Sequence, residues 1–254
     1  MPPPYIAAHW SVLASVPHQG QGPVGEPPAY WAIKHKVTGV PNQSSLPNHQ
    51  LDRFAVRKIC QDPNRHVLFG HACAMAWGGQ GSGGSGGTRH VRAAWSANAK
   101  LSKHLNLLRG GSLSRTTAYD LFLNQPIPGI GPSYFTKLLY FFSPAPSFYI
   151  MDQWTGKSVN LLTGSPVVRI GGNTPSSFNK GGNYQAFCEE VDLIAGMLGC
   201  SGEIAEERLF SKGGHHRWPW RAHVWASWKI AKPKARYRAA NMCATYPHIS
   251  AKDF

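Results

Sequence analysis

Acidic residues are scarce in this chain. Twelve Asp and Glu stand against 26 Lys and Arg in 254 residues, a formal charge of +14. Charged residues of both signs make up only 15% of the composition, so the bias reflects missing acids rather than a basic tail on a neutral body. Between Arg53 and Cys188, fourteen basic residues meet three acids, Asp62, Asp120 and Asp152. A positive field of this kind suits a polyanion, and nucleic acid is the commonest one. Cysteine is equally uninformative as a framework. Cys60, Cys73, Cys188, Cys200 and Cys243 form no C-x-x-C, no close cluster and no even set. That pattern excludes a disulfide scaffold, a structural zinc and an iron–sulfur cluster, so neither metal nor cofactor is expected. No run approaches the roughly 20 apolar residues that a spanning helix needs, and no membrane partner is expected. The opening MPPPYIAAHWSVLASVP lacks a basic n-region, and His9 and Trp10 interrupt its apolar stretch. A signal peptide is not expected, and a cytoplasmic location follows.

Hydrophobic residues make up 42%, enough for a sizeable core in a chain of this length. Residues 1–50, rich in Pro, Gly, Ser and Gln, read as an irregular extension. A helical core is expected over 51–225, and a basic, aromatic segment over 226–254, packed on or near it. Leu51 to Cys60 has helical spacing. Asp62-Pro63 has the form of an N-cap with Pro at N1, opening a helix to about Trp77. GGQGSGGSGG (78–87) reads as a flexible loop. Thr88 is placed as the cap of a helix to about Leu108, ended by Gly110 and Gly111. Ser114 starts SRTTAYDLFLNQ; PIPGIGP is a tight turn; SYFTKLLYFF is the next helix. Asp152 is expected to cap QWTGKSVNLL, and VVRI to form a short strand. The stretch 171–182 reads as loop, with helices over Tyr184–Leu198 and Glu203–Phe210.

The segment 115–160 is the informative one. Helix, IPGIG, helix is a helix-hairpin-helix. Gly129 and Gly131 are read as the residues that permit positive φ and close approach of the backbone to a phosphate. Pro132 is preset for the first turn of the helix that follows. Hairpin amides and that helix's N-terminus would offer N–H groups to one phosphate, gripping DNA backbone without reading sequence. Gly129, Ile130, Gly131 and Ser133 are therefore candidate DNA contacts, with Lys157 a further one. Asp152 follows Gly131 behind a short extended apolar piece, SFYIM.

With IPGIGPSYFTKLLYFF and YIMDQWTGKS in place, the sequence resembles the helix-hairpin-helix DNA glycosylase superfamily, closest to its 8-oxoguanine branch. The resemblance implies a mainly α fold, with two helical subdomains flanking a base-binding cleft. It implies a monomer acting on double-stranded DNA that contains a modified base, excising that base to leave an abasic site. It also implies a catalytic Asp about twenty residues beyond the hairpin, which here is Asp152. Members that also cut the strand carry a nucleophilic Lys two residues after the second hairpin glycine. That position is Ser133 here. Lys137 lies four residues further on, on the same helical face. Lys137 is the candidate nucleophile, with a phosphate contact as its alternative role. For Asp152 the alternative is a plain helix cap.

Cleavage of an N-glycosidic bond develops positive charge on the sugar, which a carboxylate stabilises. An attacking lysine must be neutral, which burial and nearby cations favour. The base must leave the duplex for an aromatic and polar pocket. Trp77, Phe148, Trp154, Trp218 and Trp220 are the candidate walls. QDPNRH (61–66) partly matches the GQDPYH loop of uracil-DNA glycosylases but lacks its Gly and Tyr. His215-His216 has no companion ligands, and KIAKPKARYR is a candidate phosphate-contact arm. Two other readings stay open: an antiphage glycosylase excising a base such as glucosylated hydroxymethylcytosine, and a non-enzymatic DNA-binding module.

Overall fold

A computed structural model of the chain describes residues 4–18, 20–81, 84–211 and 218–231. Twelve α-helices carry the described fold, with one two-stranded hairpin. No helix among the described residues is long and apolar enough to cross a membrane. The helices form two packed groups. The first comprises α2 (Pro28–Lys34), α3 (Arg53–Gln61), α4 (Val67–Trp77), α5 (Gly84–Ser96) and α6 (Asn98–Arg109). The second comprises α7 (Arg115–Asn124), α9 (Gln153–Thr163), α10 (Gly181–Leu198), α11 (Gly202–Phe210) and α12 (Pro219–Ala231). Helix α8 (Pro132–Phe142) packs on α3, α4 and α6 of the first group and on α7 of the second, bridging them.

Helix α4, VLFGHACAMAW, is apolar all round, and each of its eleven residues is buried. That is the pattern of a central helix rather than of a surface one. The ends of the other elements follow local chemistry. Asp52, Ser114 and Ser201 accept backbone N–H bonds at the N-termini of α3, α7 and α11. Pro132 occupies N1 of α8.

The extension over 1–50 is not irregular. Helix α1 (Ala7–Ser15) packs on α9 and α12, and α2 packs on α4. Leu13 and Trp31 are fully buried, and the Ile6 amide donates to the Leu162 carbonyl at 2.8 Å. These short segments are stabilised by tertiary packing that their Pro- and Gly-rich surroundings obscure.

Other expectations are corrected locally. Asp62-Pro63 does not open α4. Asp62 ends α3, its carboxylate accepts from the Asn64 amide at 2.9 Å, and His66 is the N-cap. Arg109 holds this turn by donating to the Cys60 and Arg65 carbonyls at 2.9 and 2.8 Å. Gly84 to Gly87 lie inside α5, so Thr88 is not a cap, and its hydroxyl meets His35 Nδ1 at 3.0 Å. A break at Ala97 divides the expected 88–108 helix into α5 and α6. Of VVRI only Ile170 enters a strand, β1 (Ile170–Gly171), which pairs antiparallel with β2 (Thr174–Pro175). Asn160 occupies the Val168 amide and carbonyl instead, at 2.9 and 2.7 Å. The strand β2 also falls within the stretch expected to be loop.

Candidate active site

The hairpin between α7 and α8 is anchored by its apolar residues. Ile127 and Ile130 are buried, and the Ile130 amide closes the turn on the Ile127 carbonyl at 3.1 Å. Gly129 has φ +77°, and a Cβ there would lie 2.2 Å from the His90 carbonyl oxygen. Glycine is therefore required at 129 by α5 packing against the turn as well as by conformation. Gly131 departs from its expected positive φ. It is extended, with φ −90° and ψ −179°, and a Cβ there would meet no atom within 4 Å. It is the N-cap of α8, open on its outer side. Buried Gln80 donates to the Gly129 carbonyl at 3.2 Å and fixes the turn from the glycine-rich loop. Gly129, Ile130, Gly131 and Ser133 line an open concavity of about 600 Å³ together with Gln80 and His90.

Asp152 begins α9 in a capping box. Its Oδ1 accepts from the Trp154 and Thr155 amides at 2.6 and 3.0 Å, and Thr155 Oγ1 accepts from the Asp152 amide at 2.9 Å. Every cap bond falls on Oδ1, so Oδ2 remains for the cavity that Asp152 lines. The carboxylate is only 9% exposed, and its rotamer is held by the cap.

Lys137 reaches the same cavity from α8. Its stem runs against Gly78, and its Nζ donates to the Ser133 carbonyl at 3.1 Å and lies 5.0 Å from the Tyr134 ring centre. Burial pulls its pKa below the usual lysine value. The Asp152 and Glu206 charges oppose that shift and Arg53 assists it. A lowered lysine pKa is what a nucleophilic amine needs.

The shared cavity measures about 430 Å³, within the range of small-molecule sites. Trp77, at the end of α4, and Trp154, in the first turn of α9, both line it. The chain from α1 to α2 also borders it, through Gln21, Val24 and Gly25. Two donors in its wall, Trp77 Nε1 and Arg53 Nε, are buried with no acceptor among the described residues.

The remaining candidates lie elsewhere. Phe148 is buried in the core. Trp220 is fully buried, with its indole N–H on Ser158 Oγ at 3.0 Å. Trp218, partly exposed just ahead of α12, is not among the cavity's lining residues. Lys157 is buried on α9, donating to Gln153 Oε1 at 3.2 Å and lying 4.7 Å from the Trp154 ring centre. It borders neither the cavity nor the hairpin concavity. His215-His216 and most of KIAKPKARYR lie outside the described residues. Among the described residues, no cluster of three His, Cys, Asp or Glu could hold a metal ion.

Three charged residues of the cavity went unread in the sequence: Arg53 on α3, Glu206 on α11 and Arg221 on α12. Arg53 pairs with Glu206, which is 1% exposed, and its guanidinium carbon lies 4.4 Å from the Tyr140 ring centre. Arg221 donates through Nε to the Phe210 carbonyl at 2.9 Å, with its guanidinium carbon 4.1 Å from the Trp154 ring centre. A helical wheel offers a signal for Glu206, which shares its face with buried Leu209 at i+3. Nothing comparable marks Arg53 or Arg221.

A family model described as "Putative 8-oxoguanine DNA glycosylase OGG-like protein" matches residues 18–210. No curated protein and no solved structure matches the chain. The match covers most of the chain, from the approach to α2 through the end of α11, and includes the hairpin, Lys137, Asp152 and Glu206. The chain belongs to the OGG-like family of DNA glycosylases.

Proposed function

We propose that the protein turns a modified base out of double-stranded DNA into the 430 Å³ cavity and breaks its N-glycosidic bond, with an oxidised guanine as the default substrate. The observation that carries this reading is that Lys137, from α8, and Asp152, from the start of α9, line one cavity with Trp77 and Trp154. The indoles offer stacking surface. Asp152 stabilises the positive charge that develops at C1′. Lys137, with its lowered pKa, attacks C1′, giving an imine and a route to strand cleavage. The open hairpin concavity, led by the exposed backbone at Gly131, takes a phosphate beside the lesion. The hairpin and both candidate catalytic residues come from one chain, so a monomer suffices.

The test is base release, read by mass spectrometry, from duplexes carrying 8-oxoguanine, other damaged bases, and hydroxymethylated or glucosylated cytosine. Borohydride trapping is run in parallel with wild type and Lys137→Gln. Release of 8-oxoguanine with a trapped band in wild type, and no band in Lys137→Gln, is the expected result. Release without trapping would return Lys137 to an electrostatic role. Release of only a modified cytosine would replace the substrate, and no release from any duplex would overturn the reading.

A further inference from the structure

Glycosidic cleavage needs a proton for the departing base. In this cavity Asp152 must stay ionised to stabilise the sugar cation, and Lys137 must be neutral to attack. Neither can also be the proton donor. Among the described residues one other carboxyl group lines the cavity, that of Glu206. We propose that Glu206 is the general acid of this site, an inference that rests on the glycosylase reading above.

The step balances without an outside reactant. Neutral Lys137 Nζ bonds to C1′ as the bond from C1′ to the base nitrogen breaks, and that electron pair goes to the base. The protonated Glu206 carboxyl gives its proton to the base, which leaves neutral. The resulting carboxylate takes a proton from the alkylammonium now on Nζ, so one proton has passed from lysine to base and Glu206 is restored. The surroundings suit the role. Arg53 from α3 holds one carboxyl oxygen; Lys137 and Tyr140 act on Glu206 from α8 and Asp152 from the start of α9, and Arg221 of α12 lines the same cavity. Glu207 follows on its own helix, while α10, on the other side of α11, contributes nothing to the cavity lining. Burial raises the Glu206 carboxyl to about 7, with Asp152 and Glu207 adding to the shift and Arg53 opposing it. An acid in that range is half protonated at neutral pH, where general acids work best.

The experiment measures single-turnover base release against pH for wild type, Glu206→Gln and Glu206→Asp, with trapping on preformed abasic DNA alongside. Abasic DNA has no base to protonate, so trapping there reads Lys137 and the cavity, with the effect of the Glu206 charge on the lysine included. The expected result for Glu206→Gln is base release slowed roughly 10²- to 10⁴-fold, loss of the alkaline limb near pH 7, and abasic trapping changed far less than release, by no more than the loss of the Glu206 charge beside Lys137 allows. Glu206→Asp should recover part of the rate and the limb. With each variant shown by circular dichroism to be fully folded at every pH used, the folded fraction is constant, so a merely structural role would lower the rate without moving the limb. Glu206→Gln with a wild-type rate and profile overturns the role, as does equal loss of release and abasic trapping. If wild type releases bases but never traps, the pH profiles alone decide, because a base displaced by water needs the same proton. A wild type that releases no base overturns the glycosylase reading, and this role falls with it.

Discussion

Gly78 and Lys137 are matched in shape: a Cβ built on Gly78 would lie 2.7 Å from Lys137 Cδ and 3.1 Å from Cε. The glycine at the end of α4 thus leaves the channel along which the lysine reaches the cavity. Gly78 has φ −76°, so alanine is conformationally acceptable there; the lysine must move most, with the Ala74 carbonyl oxygen, 3.1 Å away, giving slightly. Gly78→Ala should slow imine trapping by Lys137 while leaving DNA affinity unchanged. A displacement of about 1 Å at a reacting group can lower the rate on the order of 100-fold. Trapping at the wild-type rate would mean that the stem reroutes freely.

Asp152 has two roles that substitution separates. Asn caps helices about as well as Asp, so Asp152→Asn should keep α9 and the melting temperature. It should also lower base release by roughly 10²- to 10³-fold, the usual loss for a preorganised electrostatic group. Asp152→Ala should lose the same chemistry and, in addition, about 1 kcal/mol of stability from the missing cap. Single-turnover rates and thermal melts on both variants check this. Near wild-type excision by Asp152→Asn would leave the residue a cap only.

The two hairpin glycines should behave oppositely. Gly131 is extended with open space at its Cβ position, so Gly131→Val should fold normally and weaken DNA binding by obstructing the backbone's outer face. Gly129→Ala should destabilise the fold, by about 1–2 kcal/mol from its left-handed conformation alone, with further loss from the His90 carbonyl in its path. Binding of wild type should fall steeply with salt, by about 0.9 in log–log slope per phosphate neutralised. Melting curves and salt titrations of the three proteins suffice. A normal melt for Gly129→Ala, or full affinity in Gly131→Val, would contradict the assignment.

The legible parts of this molecule are the ones encoded locally. Ser114, Pro132 and Asp152 act within a turn of where they stand, so those three helix starts could be read directly from spacing, whereas Asp62 and Thr88, of the same cap-forming types, end a helix and lie inside one. Lys137 followed from one face of one helix. The cavity's remaining charges come from three helices that only the tertiary fold assembles, and no spacing links Arg53 to Glu206. Aromatics were the weakest guide. Trp77 and Trp154 line the cavity while Phe148 and Trp220 fill the core, and position in the tertiary fold separates them, not residue type or burial, since Trp77 is itself buried. The glycine run misled in another way. Its first residues, 78–81, are packed between Lys137 and the hairpin instead of forming a free loop.

Glu206 should also leave a signature in stability. Its folded pKa of about 7 lies above the ordinary value of 4.5, so the folded state binds this proton more tightly than the unfolded chain. The stabilisation is complete below about pH 4.5 and is lost as the pH rises to about 7. His71 acts with the opposite sign in an overlapping window. Burial lowers it to about 3, so its contribution is present above its unfolded value of 6.5 and is lost as the pH falls toward 3. His9, His35, His104 and His223, also lowered by burial, act with the same sign as His71, so the wild-type curve mixes slopes of both signs. The difference between wild type and Glu206→Gln cancels the histidine contributions common to both and leaves the Glu206 titration together with its coupling to Lys137 and Arg53. Melting temperatures from pH 4 to 8 should show wild type losing ground to Glu206→Gln as pH rises through 4.5–7, with parallel curves above. Parallel curves across the whole range would mean that the carboxyl is ionised throughout, and would remove the proton that the proposed acid must carry.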